Sequence, residues 1–296
     1  MTRTFADYTF GIIEASKSVL IELMTALRSY REALVLVGGW VPYFLLEKYK
    51  RKSNPFEHVG SIDLDIAVNP AIIDSEVYAT IVEIIEEREY VPRRGRNGNV
   101  INYSFERRII SPANGKEYNI SVDFLSTQVE RHRHRRVQPD LRARTMRGCS
   151  VVFEHSFEHE IMGILPDNGE TSVKMKIADI VGCITTKGIA LGERYKEKDA
   201  YDIYSVVANY KDGPRDVAKE IIPFVKDNFI NEGVDSIKNK FNNLKGEGPA
   251  WVANFLNPSS TEEKERIIAD AFMNVNELIS AIDSMRENQR INPLKN

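Results

Sequence analysis

Apolar residues recur at helical spacing over Phe10–Tyr30, where Ile12, Ile13, Val19, Leu20, Leu23 and Leu27 fall together, and this predicts an amphipathic helix. Ala33–Val37 is instead a short continuous apolar run stopped by Gly38-Gly39, the pattern of a buried strand. Helical spacing resumes over Trp40–Lys50 with Val41, Phe44 and Leu45, so the first unit is strand, Gly-Gly, helix. Arg51–His58 is polar, contains Pro55 and predicts a loop. Ser61–Val68 predicts a strand with Ile62, Leu64 and Ile66 on one face. Asp63 and Asp65, two residues apart, then share the other face.

Ser75–Arg88 returns to helical spacing through Val77, Ile81, Val82, Ile84 and Ile85. Asn99–Phe105 and Glu117–Leu125 predict strands around the hairpin signal Asn114-Gly115. Val151–Phe157 alternates like a further strand. Val173–Leu191 predicts a helix and Lys198–Asn209 opens another. Helical patterns continue over Val217–Ile230, Val234–Phe241 and Ser260–Met285, the last behind a Ser259/Ser260/Thr261–Glu263 cap signal, and Asn292–Asn296 is expected to fray. The expectation is a mixed α/β (α+β) chain, with a sheet domain over residues 1–172 and a helical domain over residues 173–296.

Composition narrows the class only a little. The 296 residues are 42% hydrophobic and 28% charged, with a formal net charge of −3. No apolar stretch is long enough for a bilayer, Met1–Phe10 lacks a signal-like apolar region, and Cys149 and Cys183 are too few for a disulfide framework. A cytoplasmic chain with no membrane segment is expected. Basic residues concentrate in the middle third: Arg93, Arg94, Arg96, Arg107, Arg108, then Arg131, His132, Arg133, His134, Arg135, Arg136, Arg142, Arg144 and Arg147. Such a run either steers a polyanion or is a solvated surface whose arginines pair with nearby acids.

The candidate chemistry begins at Asp63 and Asp65. Two adjacent carboxylates repel unless a cation lies between them, and a hard divalent ion such as Mg²⁺ favours carboxylate and phosphate oxygens. Gly38-Gly39 between strand and helix permits close phosphate approach to a helix N-terminus. The chain contains neither Gly-x-x-x-x-Gly-Lys-Ser/Thr nor a Gly-x-Gly-x-x-Gly opening, which argues against a P-loop NTPase or a Rossmann cofactor. Asp123, in Ile120-Ser-Val-Asp-Phe-Leu125, supplies a candidate third carboxylate, as two-metal nucleotidyl transfer would use. Lys187 and Arg194 lie seven apart on one helix face, and Asp199 would stand in the first turn of the next helix.

Gly38-Gly39, Ser61-x-Asp63-Leu-Asp65, and Lys187 with Arg194, Asp199, Tyr201 and Asp202 together resemble the AbiEii/AbiGii toxin family of nucleotidyltransferases, within the DNA polymerase β-like superfamily. The resemblance spans about Val35 to Tyr204. It implies a nucleotidyltransferase-fold sheet domain, a helical C-terminal domain, Mg²⁺ (or Mn²⁺) and NTP. It also implies transfer to tRNA or another RNA, and a cognate antitoxin as in type IV toxin–antitoxin and phage-defence systems. On that basis Asp63 and Asp65 ligate metal, and Asp123, placed by its strand alternation rather than by the resemblance, is the candidate third ligand or base. Gly38, Gly39, Ser61, Lys187 and Arg194 hold the nucleotide, and Asp199 orients Lys187 or the acceptor. Two departures from the family pattern stand out: a Lys50–Val59 insertion, and His58-Val-Gly60 where an arginine is usual.

Two other readings compete. A degenerate relative would bind nucleotide or RNA without catalysis. His155-Ser-Phe-Glu158-His159 formally matches His-x-x-Glu-His, which would make a zinc hydrolase if both histidines shared a helix face. His132-x-His134 fits a charged loop better than a ligand pair, His58 carries no signal, and both cysteines fit as small buried hydrophobes.

Overall fold

The apolar run Leu34–Val37 forms strand β1, every residue of it buried, at the centre of an eight-stranded sheet. The computed structural model describes residues 3–95, 97–127 and 143–291. Arg96, the stretch Arg131–Arg142 with its His132-x-His134, and Asn292–Asn296 lie outside the described residues.

Seven other strands complete the sheet: β2 (Leu64–Val68), β3 (Tyr90–Arg94), β4 (Val100–Ile110), β5 (Glu117–Ser126), β6 (Arg144–Thr145), β7 (Ser156–Ile164) and β8 (Glu170–Ala178). Their order is β3-β4-β5-β2-β1-β8-β7, with β6 beside β5. The sheet is mixed. β1 runs antiparallel to β2 and parallel to β8, and β2 runs parallel to β5. The β4–β5 hairpin turns at Gly115, whose φ of 69° is the left-handed backbone that glycine tolerates. Helix α1 (Phe10–Ala26) lies across β4, β5, β7 and β8 and buries Val19, Leu20, Ile21, Leu23 and Met24. Burial of five such side chains is worth roughly 1.5–3 kcal/mol each and is the main attraction between helix and sheet.

Contacts divide the chain into two units. The sheet unit is Tyr8–Val41 with Gly60–Asp179, and the helical unit is Met1–Asp7, Pro42–Val59 and Ile180–Asn296. The second helix, α2 (Trp40–Tyr49), contributes its first two residues to the sheet unit and the rest to the helical one. Helix α3 (Ser75–Glu86), N-capped by Asp74, and α4 (Cys149–Glu154) complete the sheet unit.

The helical unit contains α5 (Ile180–Glu193), α6 (Glu197–Asn209), α7 (Pro214–Ile221), α8 (Asn228–Lys240), α9 (Glu247–Leu256) and α10 (Thr261–Ile291). Helices α5 and α8 cross in close contact. A Cβ built on Gly188 would stand 2.3 Å from the Gly233 carbonyl oxygen, so only glycine permits the approach. The Lys50–Val59 insertion packs along α6 and the turn after it. Asn54 Nδ2 donates to Asn209 Oδ1 at 2.8 Å, Arg51 pairs with Asp212, and Val59 N donates to the Tyr201 hydroxyl at 3.4 Å. Among the described residues, no helix is long and apolar enough to cross a membrane.

Three local expectations are corrected. Val151–Phe157 is not one strand: Gly148, at φ 71°, starts the short helix α4, which buries Val151 and Val152, and strand resumes at Ser156. Residues 173–178 belong to β8, where Val173, Met175 and Ile177 are buried at the strand period of two. Asp63 lies in a bend one residue before β2, not within the strand.

Candidate active site

The two glycines and the carboxylate motif meet through strand register. β1 and β2 pair so that Val37 stands opposite Asp65, which brings the Asp65 carboxylate against the turn that follows β1. Gly38 adopts φ 77°, and a Cβ there would fall 2.1 Å from Asp65 Oδ2. A side chain at position 38 therefore collides with the carboxylate and is also strained in its backbone. Gly38 and Asp65 are one structural unit. Behind the turn, the Trp40 indole N–H donates to buried Ser16 Oγ at 3.1 Å and holds the start of α2 on α1.

On its other side Asp65 stands in register with Asp123 across the parallel pair β2–β5. Directly opposed residues on neighbouring strands project to the same face, so these two carboxylates are side by side. Asp123 already has partners. It accepts a hydrogen bond of 2.5 Å from Ser104 Oγ, its cross-strand neighbour in β4, and its Oδ2 lies 3.8 Å from Arg144. Ser61 is buried and donates its hydroxyl to the Asp63 carbonyl at 3.0 Å, shaping the bend that leads into β2. The oxygen donors of Asp63, Asp65 and Asp123 suit a hard divalent cation. Among the described residues, however, no group of three or more His, Cys, Asp or Glu side chains is arranged to hold a metal ion. The chain presents a carboxylate pair, not a preassembled three-carboxylate cage.

The helical unit assembles a buried charge network from α5 and α6. Lys187 Nζ donates to Asp199 Oδ1 at 2.9 Å and to Asp202 Oδ2 at 2.6 Å. Arg194 grips the other oxygen of Asp199 at 2.8 Å. The seven-residue spacing of Lys187 and Arg194 thus lets one carboxylate hold both. Asp202 Oδ1 receives Lys198 Nζ at 2.7 Å and His58 Nε2 at 3.0 Å. Asp199 and Asp202 are fully buried, and the Lys187, Lys198 and His58 side chains nearly so.

Charge states follow from this packing. Burial alone would raise both aspartate pKa values, but Lys187, with Arg194 on Asp199 and Lys198 on Asp202, holds the two carboxylates below their ordinary range. Burial opposes the Lys187 ammonium, yet Asp199 and Asp202 override it and hold its pKa above the ordinary lysine value. Lys198 is pulled down to about 8 by burial and by repulsion from Lys187, against the attraction of Asp202. Burial likewise lowers His58 to about 4, so its imidazole is neutral at pH 7. An ionised carboxylate only accepts, so the hydrogen on His58 resides on Nε2. His58 was silent in the sequence because its partner Asp202 lies 144 residues away.

Other expectations resolve plainly. Arg93 pairs with Glu106, Arg107 with Glu22 and Glu89, and Arg108 with Glu117, so these three arginines are neutralised locally. The zinc reading fails on geometry. His155 follows α4 and faces Asp179 at 3.3 Å, whereas Glu158 and His159 are consecutive in β7 and point to opposite faces. Cys149 and Cys183 are both buried, and neither forms a disulfide among the described residues.

No family model and no curated protein sequence matches the chain. Among solved structures, the chain is similar to JHP933 of Helicobacter pylori, at 13% identity and a TM-score of 0.40, over 94% of this chain and 98% of that one. It is also similar to an antigenic nucleotidyltransferase-like protein of Paracoccidioides brasiliensis, at 13% identity and a TM-score of 0.42, over 81% of this chain and 91% of the other. At these scores the likeness carries no functional assignment, which rests on the residues themselves.

Proposed function

We propose that the chain is a Mg²⁺-dependent nucleotidyltransferase that moves an NMP from an NTP to an acceptor hydroxyl, the 3′ end of tRNA or another RNA. The observation that carries this reading is the collision-close fit of Gly38 to Asp65, with Asp123 beside Asp65 in register. It joins a turn able to admit phosphate to a carboxylate pair able to hold a hard cation.

In this reading Asp63 and Asp65 hold the metal, with Asp123 as a third ligand once it leaves Arg144. Bound Mg²⁺ (or Mn²⁺) supplies charge neutralisation at the phosphates and lowers the pKa of the attacking hydroxyl. Gly38 lets the Asp65 carboxylate lie against the turn, the start of α2 beyond Gly39 offers its N-terminus to phosphate, and Ser61 holds the bend that aims Asp63. Two of the three donors of the Lys187 ammonium are taken by carboxylates, and the third is assigned to a triphosphate oxygen. Arg194 adds a second cation, and Asp199 orients both. Most of the rate would come from positioning and charge neutralisation. A cytoplasmic toxin with a cognate antitoxin partner in phage defence is the biological form of this proposal.

A second reading, a nucleotide- or RNA-binding relative without catalysis, is favoured by the engagement of Asp123 with Ser104 and Arg144. Incubation with labelled NTPs, Mg²⁺ and total RNA separates the two. Label transfer that Asp65→Ala abolishes supports the enzyme. Nucleotide binding with no transfer to any acceptor supports the binding protein.

A further inference from the structure

We propose that His58 is a positioning residue for Lys187, acting through Asp202. This rests on the reading of Lys187 as the triphosphate-binding lysine. The two oxygens of the Asp202 carboxylate have different partners. Oδ1 accepts two donors, Lys198 Nζ and His58 Nε2, while Oδ2 accepts Lys187 Nζ. A carboxylate held by two donors on one oxygen cannot turn about its χ2 axis without breaking both. The rotation that would carry Oδ2 away from Lys187 is therefore blocked.

The imidazole is itself held from both sides. Its ring stacks on Tyr201 with centroids 5.1 Å apart and planes 28° apart, and Tyr201 packs on Phe255 at 4.6 Å. The next residue, Val59, donates its backbone N–H to the Tyr201 hydroxyl. Being neutral, the imidazole adds a directional donor to a carboxylate that already faces two ammonium groups, without adding a third positive charge. A second arginine-type cation in this position would bring a charge that Asp202 and Asp199 could not both offset. The Lys50–Val59 segment therefore has a chemical consequence: through His58 it delivers a neutral donor to the lysine centre.

The experiment measures binding of an α,β-methylene NTP with Mg²⁺ by calorimetry, which needs no acceptor and no turnover. Glutamine can carry an amide N–H to the place of Nε2, asparagine is too short, and phenylalanine keeps the ring without the donor. The expected result is affinity within about twofold of wild type for His58→Gln, and about tenfold weaker for His58→Asn and His58→Phe, in line with loss of a hydrogen bond to a charged group. If the phenylalanine variant does not fold, the glutamine–asparagine pair still decides. Equal affinity for all variants overturns the inference, and so does equal weakening of glutamine and asparagine, which would assign the effect to the ring. Lys187→Met separates the two levels: wild-type nucleotide affinity there overturns the role of Lys187 itself, whatever the His58 variants do.

Discussion

The buried imidazole of His58 makes stability depend on pH in a calculable way. Its ordinary value of 6.5 falls to about 4 in the folded chain. A group whose folded value is depressed in this direction and is neutral when folded costs almost nothing once the pH is well above 6.5. As pH falls from 6.5 toward 4, the unfolded chain takes up a proton that the folded chain refuses, and stability declines. The full gap, 6.5 to about 4, corresponds to roughly 3 kcal/mol, reached only below pH 4. At pH 5 the loss is ~2 kcal/mol, and at pH 7 it is only a few tenths. Urea unfolding of wild type and His58→Gln at pH 5 to 7.5 isolates it, because every other titrating group is common to both proteins. The wild type should lose ~2 kcal/mol more than the variant between pH 7 and pH 5. Parallel pH dependence in the two proteins would refute both the burial and the neutral state assigned to His58.

Gly38→Ala should destabilise the chain by at least ~1–3 kcal/mol, since a Cβ meets the Asp65 carboxylate and the backbone is left-handed; adding Asp65→Ala should recover part of the loss in a thermal-melt double-mutant cycle. Lys187→Met leaves Asp199 and Asp202 short of a cation in a buried place and should cost about 3–5 kcal/mol by urea denaturation. Arg108→Ala removes an exposed pair with Glu117 and should change the unfolding midpoint by less than the equivalent of about 1 kcal/mol. Gly188→Ala forces α5 from α8 and should lower Tm by several degrees, with the sheet unit's hydrogen-exchange protection unchanged.

The parts of the site legible in the sequence are those whose meaning is local. Leu34–Val37 stops at two glycines, and that boundary fixes a strand, a turn and a helix start. Lys187 and Arg194 are related by helical spacing, and the short turn into the next helix brings Asp199 to both. Asp65 beside Asp123 required knowing that β2 and β5 are neighbours, which alternation within each strand does not encode. The arginines at 93, 107 and 108 showed charge without partners, because Glu106, Glu22, Glu89 and Glu117 reach them across strands or from α1 and the turn after α3. Val151–Phe157 misled because two buried valines satisfy a short helix and a strand equally. The alternation of Val173, Met175 and Ile177 was present but merged into the longer apolar helix that follows.

The Lys50–Val59 insertion also has a consequence for how the chain acquires its structure. His58 and Asp202 are 144 residues apart, and the whole of Gly60–Asp179 belongs to the other unit. The helical unit therefore cannot finish folding as the chain emerges in order. Its insertion must wait, unpartnered, until the sheet-forming stretch and then α5 and α6 have been made. Closing so long a loop costs only a few kcal/mol of entropy, growing with the logarithm of its length, but it places the His58–Asp202 hydrogen bond among the late, slow contacts, whereas Lys187 meets Asp199 and Asp202 within 15 residues of sequence. A truncation after Asp179 would leave residues 42–59 without the helices they pack on. The lysine–aspartate pairs can thus form locally, and it is the His58 donor that must return from far back in the chain.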